Sequence, residues 1–138
     1  MVKKIAHIGI AVRDLEEASA VYRDVLGLEE IYREEVKDQK VKTVVFAAGE
    51  SHVELLSPTS PESPIAKFLD KRGEGIHHVA YAVEDLEAKL ADLGGKGARL
   101  IDEKPRVGAG GHLIAFIHPK SAKGVLTEMT QLVTKHEK

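Results

Sequence analysis

The chain has 138 residues, of which 43% are hydrophobic and 30% charged, and 20 Lys+Arg against 22 Asp+Glu leave a formal net charge of −2. That is one domain's length with globular composition, which excludes a disordered polymer, and the near-neutral balance gives no electrostatic footprint for nucleic acid or an anionic membrane. Cysteine is absent, which removes disulfide scaffolds, thiolate metal sites and cysteine nucleophiles, and no apolar run approaches the about 20 residues that span a bilayer.

The segment Met1-Val2-Lys3-Lys4 is followed by only a short apolar stretch that contains a histidine, which is not a secretory signal, so the expected location is cytoplasmic. Asparagine is absent and glutamine is limited to Gln39 and Gln131, a thermophile-like composition that carries no chemistry.

The first element alternates. Ile8, Ile10 and Val12 share one face and His7, Gly9 and Ala11 the other, so a strand with a bulky face and a small-residue face carrying one histidine is expected. A helix follows, with Asp14 as N-cap and Glu17 at capping-box spacing. Its apolar stripe is Leu15, Ala18, Val21, Tyr22, Val25 and Leu26, and Gly27 ends it. Extended segments are expected over Glu29–Glu35, Lys42–Ala48 and His52–Leu56, with Ala48-Gly49-Glu50-Ser51 as a turn. Ser57–Pro64 holds three of the five prolines and reads as a connection, after which Pro64 at N1 opens a short helix over Ile65–Arg72 that Gly73 closes.

Residues 76–87, IHHVAYAVEDLE, then repeat residues 5–16, IAHIGIAVRDLE, at seven of twelve positions, with His78 in the place of His7. Val79, Tyr81 and Val83 point one way, and His78, Ala80 and Ala82 the other. Asp85 caps a second helix with the stripe Leu86, Leu90 and Leu93, stopped at Gly94-Gly95. Extended segments follow over Ala98–Glu103, Leu113–His118 and Gly124–Gln131. The reading is one α+β domain, 1–138, built from two β-α-β-β-β modules of about 4–57 and 75–132, with 58–74 connecting them.

The duplication also aligns His52-Val53-Glu54-Leu55-Leu56 with Leu126-Thr127-Glu128-Met129-Thr130. Each module therefore supplies one histidine from its first strand and one glutamate from its last, although glutamate is depleted from strands. A lone strand histidine is usually structural; the matched pairs favour a site made of His7, Glu54, His78 and Glu128. Two imidazoles and two carboxylates, without thiolate, suit a divalent ion such as Co, Mn, Ni or Zn, with positions left for water or substrate.

His77 has the parity of Val79 and Tyr81, against the helix, so it is read as structural or as a residue that supports the ligands from behind. His52 shares the face of Glu54 but has Leu126 as its counterpart and is left out. His118, in His118-Pro119-Lys120, reads as turn, and His136 lies in a polar tail. Gly108-Ala109-Gly110-Gly111-His112 is either a backbone donor loop for an anion or a plain hairpin connection, and it lacks the Walker A ending. No Gly-x-Ser-x-Gly elbow is present.

The stretches HIGIAVRDLEEASAVYRDVLGLE, VVFAAGESHVELLSP followed by SPIAKFL, GEGIHHVAYAV, and HLIAFIHPKSAKGVLTEM resemble the methylmalonyl-CoA epimerases of the vicinal oxygen chelate superfamily, over nearly the whole chain. The resemblance implies curved mixed sheets forming a metal-binding cleft, a homodimer, and interconversion of (R)- and (S)-methylmalonyl-CoA, an acyl-CoA substrate. It places the metal ligands on His7, Glu54, His78 and Glu128, with Co2+ the favoured ion, and gives Glu128 a second role as acid/base. The family's other proposed base is a glutamate, and Thr43 stands in its place here: either a water held by Thr43 relays the proton, or Glu54 substitutes, or the activity differs. Glyoxalase I, which uses the same four ligand types, and a metal-free small-molecule-binding relative are the alternative readings.

Overall fold

The computed structural model describes residues 1–133, so His136 lies outside the described residues. The chain divides into two compact units, His7–His77 and a second that joins Met1–Ala6 to the residues from His78 on.

Strand β1 (Val2–Ala11) enters the unit of His7–His77 at His7 and leads through Asp14 into helix α1 (Leu15–Ala20), then to β2 (Glu29–Val36), β3 (Val41–Ala48), β4 (Ser51–Pro58) and helix α2 (Pro64–Arg72). The strand order is β2-β3-β4-β1, with β1 parallel to β4 and the other pairs antiparallel. The sequence signals act as expected: the Asp14 carboxylate accepts from the Glu17 N–H at 3.0 Å, and the Ser63 hydroxyl accepts from the Ile65 N–H at 3.1 Å beside Pro64. Two apolar clusters cover opposite faces of this sheet. Leu15, Ala18 and Tyr22 pack on Val12, Val44, Phe46 and Leu55, while Ile65, Leu69 and Phe68 of α2 pack on Ala11, Val41 and Leu56. Helix α2 thus covers one end of the small-residue face and leaves the His7 end of β1 to the site.

The first helix departs from its expected stripe. Residues Val21–Val25 form a π turn, closed by Leu26 N–H donating to Val21 C=O at 2.9 Å. The extra residue in that turn rotates the later side chains off the α-helical face. Val21, Val25 and Leu26 consequently stand 43%, 76% and 57% exposed instead of joining the core. Gly27 then reverses the chain at φ 81°, a conformation that favours glycine.

In the other unit, β5 (Gly75–Val83) enters at His78 and is followed by helix α3 (Leu86–Gly95), β6 (Arg106–Val107), β7 (Leu113–Ile117) and β8 (Thr127–Gln131). The order is β5-β8-β7-β6, again with first and last strands parallel. Leu86 and Leu90 of α3 pack on Val83, Ala115, Ile117 and Met129. The glycine that reverses the chain after α3 is Gly97, at φ 87°; Gly94 and Gly95 lie within the last turn.

The strand expected over Ala98–Glu103 reduces to a single bridge, Leu100 with Ile117, and β6 lies further on. The Asp102 side chain takes the Phe116 N–H at 2.8 Å, a donor that a longer ladder would use, and Pro105 has no N–H to offer. The last strand likewise starts at Thr127, after Gly124 at φ 101°.

Phe46, fully buried, and Val25, 76% exposed, give a direct contrast. Phe46→Ala is expected to cost about 3–5 kcal/mol in urea unfolding. Val25→Ala, which a continuous helical stripe would place in the core, is expected to cost under about 0.5 kcal/mol.

Candidate metal centre and proton-transfer site

The parallel register of β1 with β4 sets Gly9 beside Glu54, and that of β5 with β8 sets Ala80 beside Glu128. In each unit the glutamate therefore stands next to the residue two positions after the histidine. Strand neighbours share a face, so glutamate and histidine project from the same side. The small residue between them leaves room for the carboxylate to lean toward the imidazole.

Both pairs close to the same separation. His7 Nδ1 lies 3.2 Å from a Glu54 carboxylate oxygen, and His78 Nε2 lies 3.2 Å from one of Glu128. Glu54, His78 and Glu128 are 8%, 5% and 3% exposed. Charged groups this dry need a compensating partner.

In the second unit Phe116 presents its edge to His78, with ring centroids 5.5 Å apart and planes at 81°. The Arg106 guanidinium lies 5.6 Å over the same Phe116 ring, and Arg106 Nε is 3.2 Å from an Asp102 oxygen. Asp102 also binds the Phe116 backbone, so one carboxylate holds both sides of this aromatic wall.

The histidines set aside from the sequence lie where their parity or context put them. His77 stacks edge-on against Phe68 of α2 at 5.0 Å. The His118 Nδ1 accepts from the Lys120 N–H at 3.0 Å and opens a turn. His52 is the strand neighbour of His7, on the same face and half-buried. The glycine loop joins β6 to β7, with Gly108 N–H donating to His112 C=O at 2.8 Å, the hairpin alternative, and His112 Nδ1 accepts from the Val133 N–H at 3.0 Å.

A profile of the Glyoxalase/Bleomycin resistance protein/Dioxygenase superfamily matches residues 6–116. An ethylmalonyl-CoA/methylmalonyl-CoA epimerase of Cereibacter sphaeroides is 40% identical over 134 residues, 96% of this chain and 100% of that protein. The crystal structure of methylmalonyl-CoA epimerase from Mycobacterium tuberculosis superposes with a TM-score of 0.93 at 40% identity, covering 99% of this chain and 92% of that one. A methylmalonyl-CoA epimerase solved with methylmalonyl-CoA and NH4+ superposes with a TM-score of 0.91 at 38% identity, covering 95% of both chains. The chain belongs to this superfamily and to its methylmalonyl-CoA epimerase family.

The expected α+β fold of two β-α-β-β-β modules is therefore the fold this family shares. Thr43 is 2% exposed on β3, a strand neighbour of Leu56 on β4 and of Glu34 on β2. Register carries the His7–Glu54 face across the sheet through Val45 to Tyr32, and through Thr43 to Glu34.

Tyr32 and Glu34 escaped the sequence reading. Their strand was visible, but which of its two faces turned toward the site depended on pairing with β3, and a register shift between Glu30 and Tyr32 interrupts the count. Burial raises the Tyr32 phenol to about 12, with the Glu54 and Glu34 carboxylates adding to the effect.

One of the three tyrosines should therefore ionise late. In an ultraviolet titration of the folded protein, a step near pH 12 is expected and Tyr32→Phe should remove it. Because the folded state holds this proton more tightly than the unfolded chain, Tyr32 leaves stability unchanged below pH about 10 and lowers it as pH rises from about 10 to 12.

Proposed function

We propose that this chain interconverts (R)- and (S)-methylmalonyl-CoA, and that its two units act as one domain in which His7, Glu54, His78 and Glu128 hold one divalent ion. The observation that carries the reading is the repeated pair: the same residue types, in the same strand register, at the same 3.2 Å separation in both units of a chain from this family. The donor set fits the ion. In each unit an imidazole nitrogen and a carboxylate oxygen stand 3.2 Å apart, so both could serve as donors to one ion. Two carboxylates and two neutral imidazoles form a doubly negative set that a doubly positive ion neutralises. Nitrogen and oxygen donors without sulfur suit Co2+, Mn2+, Ni2+ or Zn2+ alike, and the family resemblance favours Co2+.

The chemistry asks for little else. C2 of the substrate lies between a thioester and a carboxylate, so loss of its proton spreads charge onto both oxygens. A bound divalent ion supplies positive charge to stabilise that developing charge. The residues of the chain do the rest. The Glu128 carboxylate takes or returns the C2 proton on one face, and the buried Thr43 hydroxyl holds a water toward the other. Phe116, fixed by Asp102 and Arg106, keeps the His78 ring in place and excludes water. Glyoxalase I chemistry would use the same donors; the epimerase relatives favour the present substrate. Among the described residues no helix is long and apolar enough to cross a membrane, and the reading includes a cytoplasmic location and a homodimer.

With Co2+ in deuterated water, (S)-methylmalonyl-CoA is expected to gain deuterium at C2 and to reach a mixture of both epimers. No exchange with Co2+, Mn2+, Ni2+ or Zn2+ would refute the reading. His78→Ala should lose at least tenfold in metal affinity by titration calorimetry along with activity, while His77→Ala should bind metal as the parent does. Light scattering should give about twice the chain mass of 15.0 kDa at micromolar concentration.

A further inference from the structure

Beyond Phe116, strand β7 runs out into the turn of Pro119–Ala122, and cations gather at that end of the unit. Parity fixes which side they face. Leu100 bridges Ile117 and packs with the α3 cluster, so Arg99 and Ile101 turn the other way, to the face that carries His78, Phe116 and Glu128. Backbone hydrogen bonds pin them there. His118 N–H donates to Arg99 C=O at 2.8 Å, and Ile101 N–H donates to Phe116 C=O at 2.9 Å. The Ser121 hydroxyl accepts from Arg99 N–H at 2.8 Å, and His118 Nδ1 accepts from Lys120 N–H at 3.0 Å. Arg99, His118 and Lys120 are thus tied into one knot.

We propose that Arg99, His118 and Lys120 bind the phosphate groups at the nucleotide end of the acyl-CoA, with Ile101 beneath the arm that leads to them. The inference rests on the epimerase reading. Other cations of this unit have acidic partners: Lys89 and Lys96 share Asp92, and Arg106 has Asp102. Among the described residues, the Arg99 guanidinium and the Lys120 ammonium meet no carboxylate. Cations held near one another repel, and a phosphate between them relieves that repulsion through charge-assisted hydrogen bonds. Burial, then the Arg99 and Lys120 charges, hold the His118 imidazole below its ordinary value. The ring is therefore neutral at pH 7, and because Nδ1 accepts from Lys120, its proton sits on Nε2 as a third donor. Ile101 is 51% exposed, an apolar step between Phe116 and the cations.

The spacing suits the ligand. From β5, which carries His78, the sheet crosses β8 and β7 to the segment of Arg99 and Ile101, three strand spacings or about 14 Å along the sheet. The pantetheine arm has about 13 bonds from thioester sulfur to phosphorus, the reach of about four extended residues, roughly 15 Å. A thioester held beside His78 and Glu128 can therefore set its phosphates at Arg99, His118 and Lys120, with its methylene and methyl carbons over Phe116 and Ile101. The phosphates do not change during the reaction, so contacts to them strengthen ground state and transition state equally.

The test uses the whole protein loaded with Co2+ and two substrates, methylmalonyl-CoA and methylmalonyl-pantetheine, which carries no phosphate. Combining Arg99→Ala with Lys120→Ala is expected to raise KM for the CoA thioester at least about tenfold with little change in kcat. The ratio of the two KM values should narrow by the same factor, because the pantetheine thioester has nothing for these cations to hold. Arg99→Lys with Lys120→Arg, which keeps both charges, should recover most of the loss. Coenzyme A itself, titrated by calorimetry, should bind the double alanine variant at least about tenfold more weakly than the parent. A parental KM ratio in the double alanine variant would overturn the proposal. So would an equal rise in KM for both thioesters, since that would mark a disturbance of the acyl end. A parent protein that exchanges neither thioester at C2 in deuterated water, yet binds coenzyme A through these cations, would instead bring down the epimerase reading and leave the phosphate site standing.

Discussion

The parallel pairing of first and last strands within each module is the constraint on which the site depends. It sets Glu54 beside Gly9 and Glu128 beside Ala80, and thereby brings each carboxylate within 3.2 Å of its histidine. A slip of one residue in either ladder would turn the glutamate to the opposite face, against the helix, where a charge has no partner. The apolar residues on either side resist that slip. Leu55 is fully buried with Val12, Val44 and Phe46, and Met129 packs with Ala115 and α3. The core thus holds the register, and the register holds each glutamate against its histidine.

The two faces of each sheet carry different kinds of side chain for the same reason. Bulky residues face α1 or α3, where burial of apolar surface stabilises the fold. Small residues face the other way, so histidine and glutamate can stand among glycine and alanine without crowding. In the unit of His7–His77, α2 closes one end of that small-residue face through Ile65 and Leu69, and Phe68 holds His77. The dry environment strengthens any charge placed there and makes an unmatched one costly, so within each unit the glutamate stands against its histidine.

Proton transfer is where this chain departs from the pattern it resembles. Antiparallel pairing gives Thr43 and Glu34 the same face of the sheet.

Much of the fold was legible in the sequence because it rests on local signals. Alternation marked β1 and β5, Asp14 and Asp85 capped the helices that follow them, and the internal repeat singled out His7 with His78 and Glu54 with Glu128. The places where reading failed are those where the deciding contact is not local. The π turn at Val21–Val25 moved half of an apolar stripe into solvent, and Asp102 replaced an expected strand with a side-chain hydrogen bond to a distant backbone amide. Glu34 and Tyr32 gave no sign of their face until β2 was registered against β3 across a shift. The sequence by itself determined the modules, their caps and the four candidate ligands, since period, capping and duplication are properties of neighbouring residues. Only the tertiary structure decided which side chains meet, because strand register is set by burial and hydrogen bonding between segments that lie far apart in the chain.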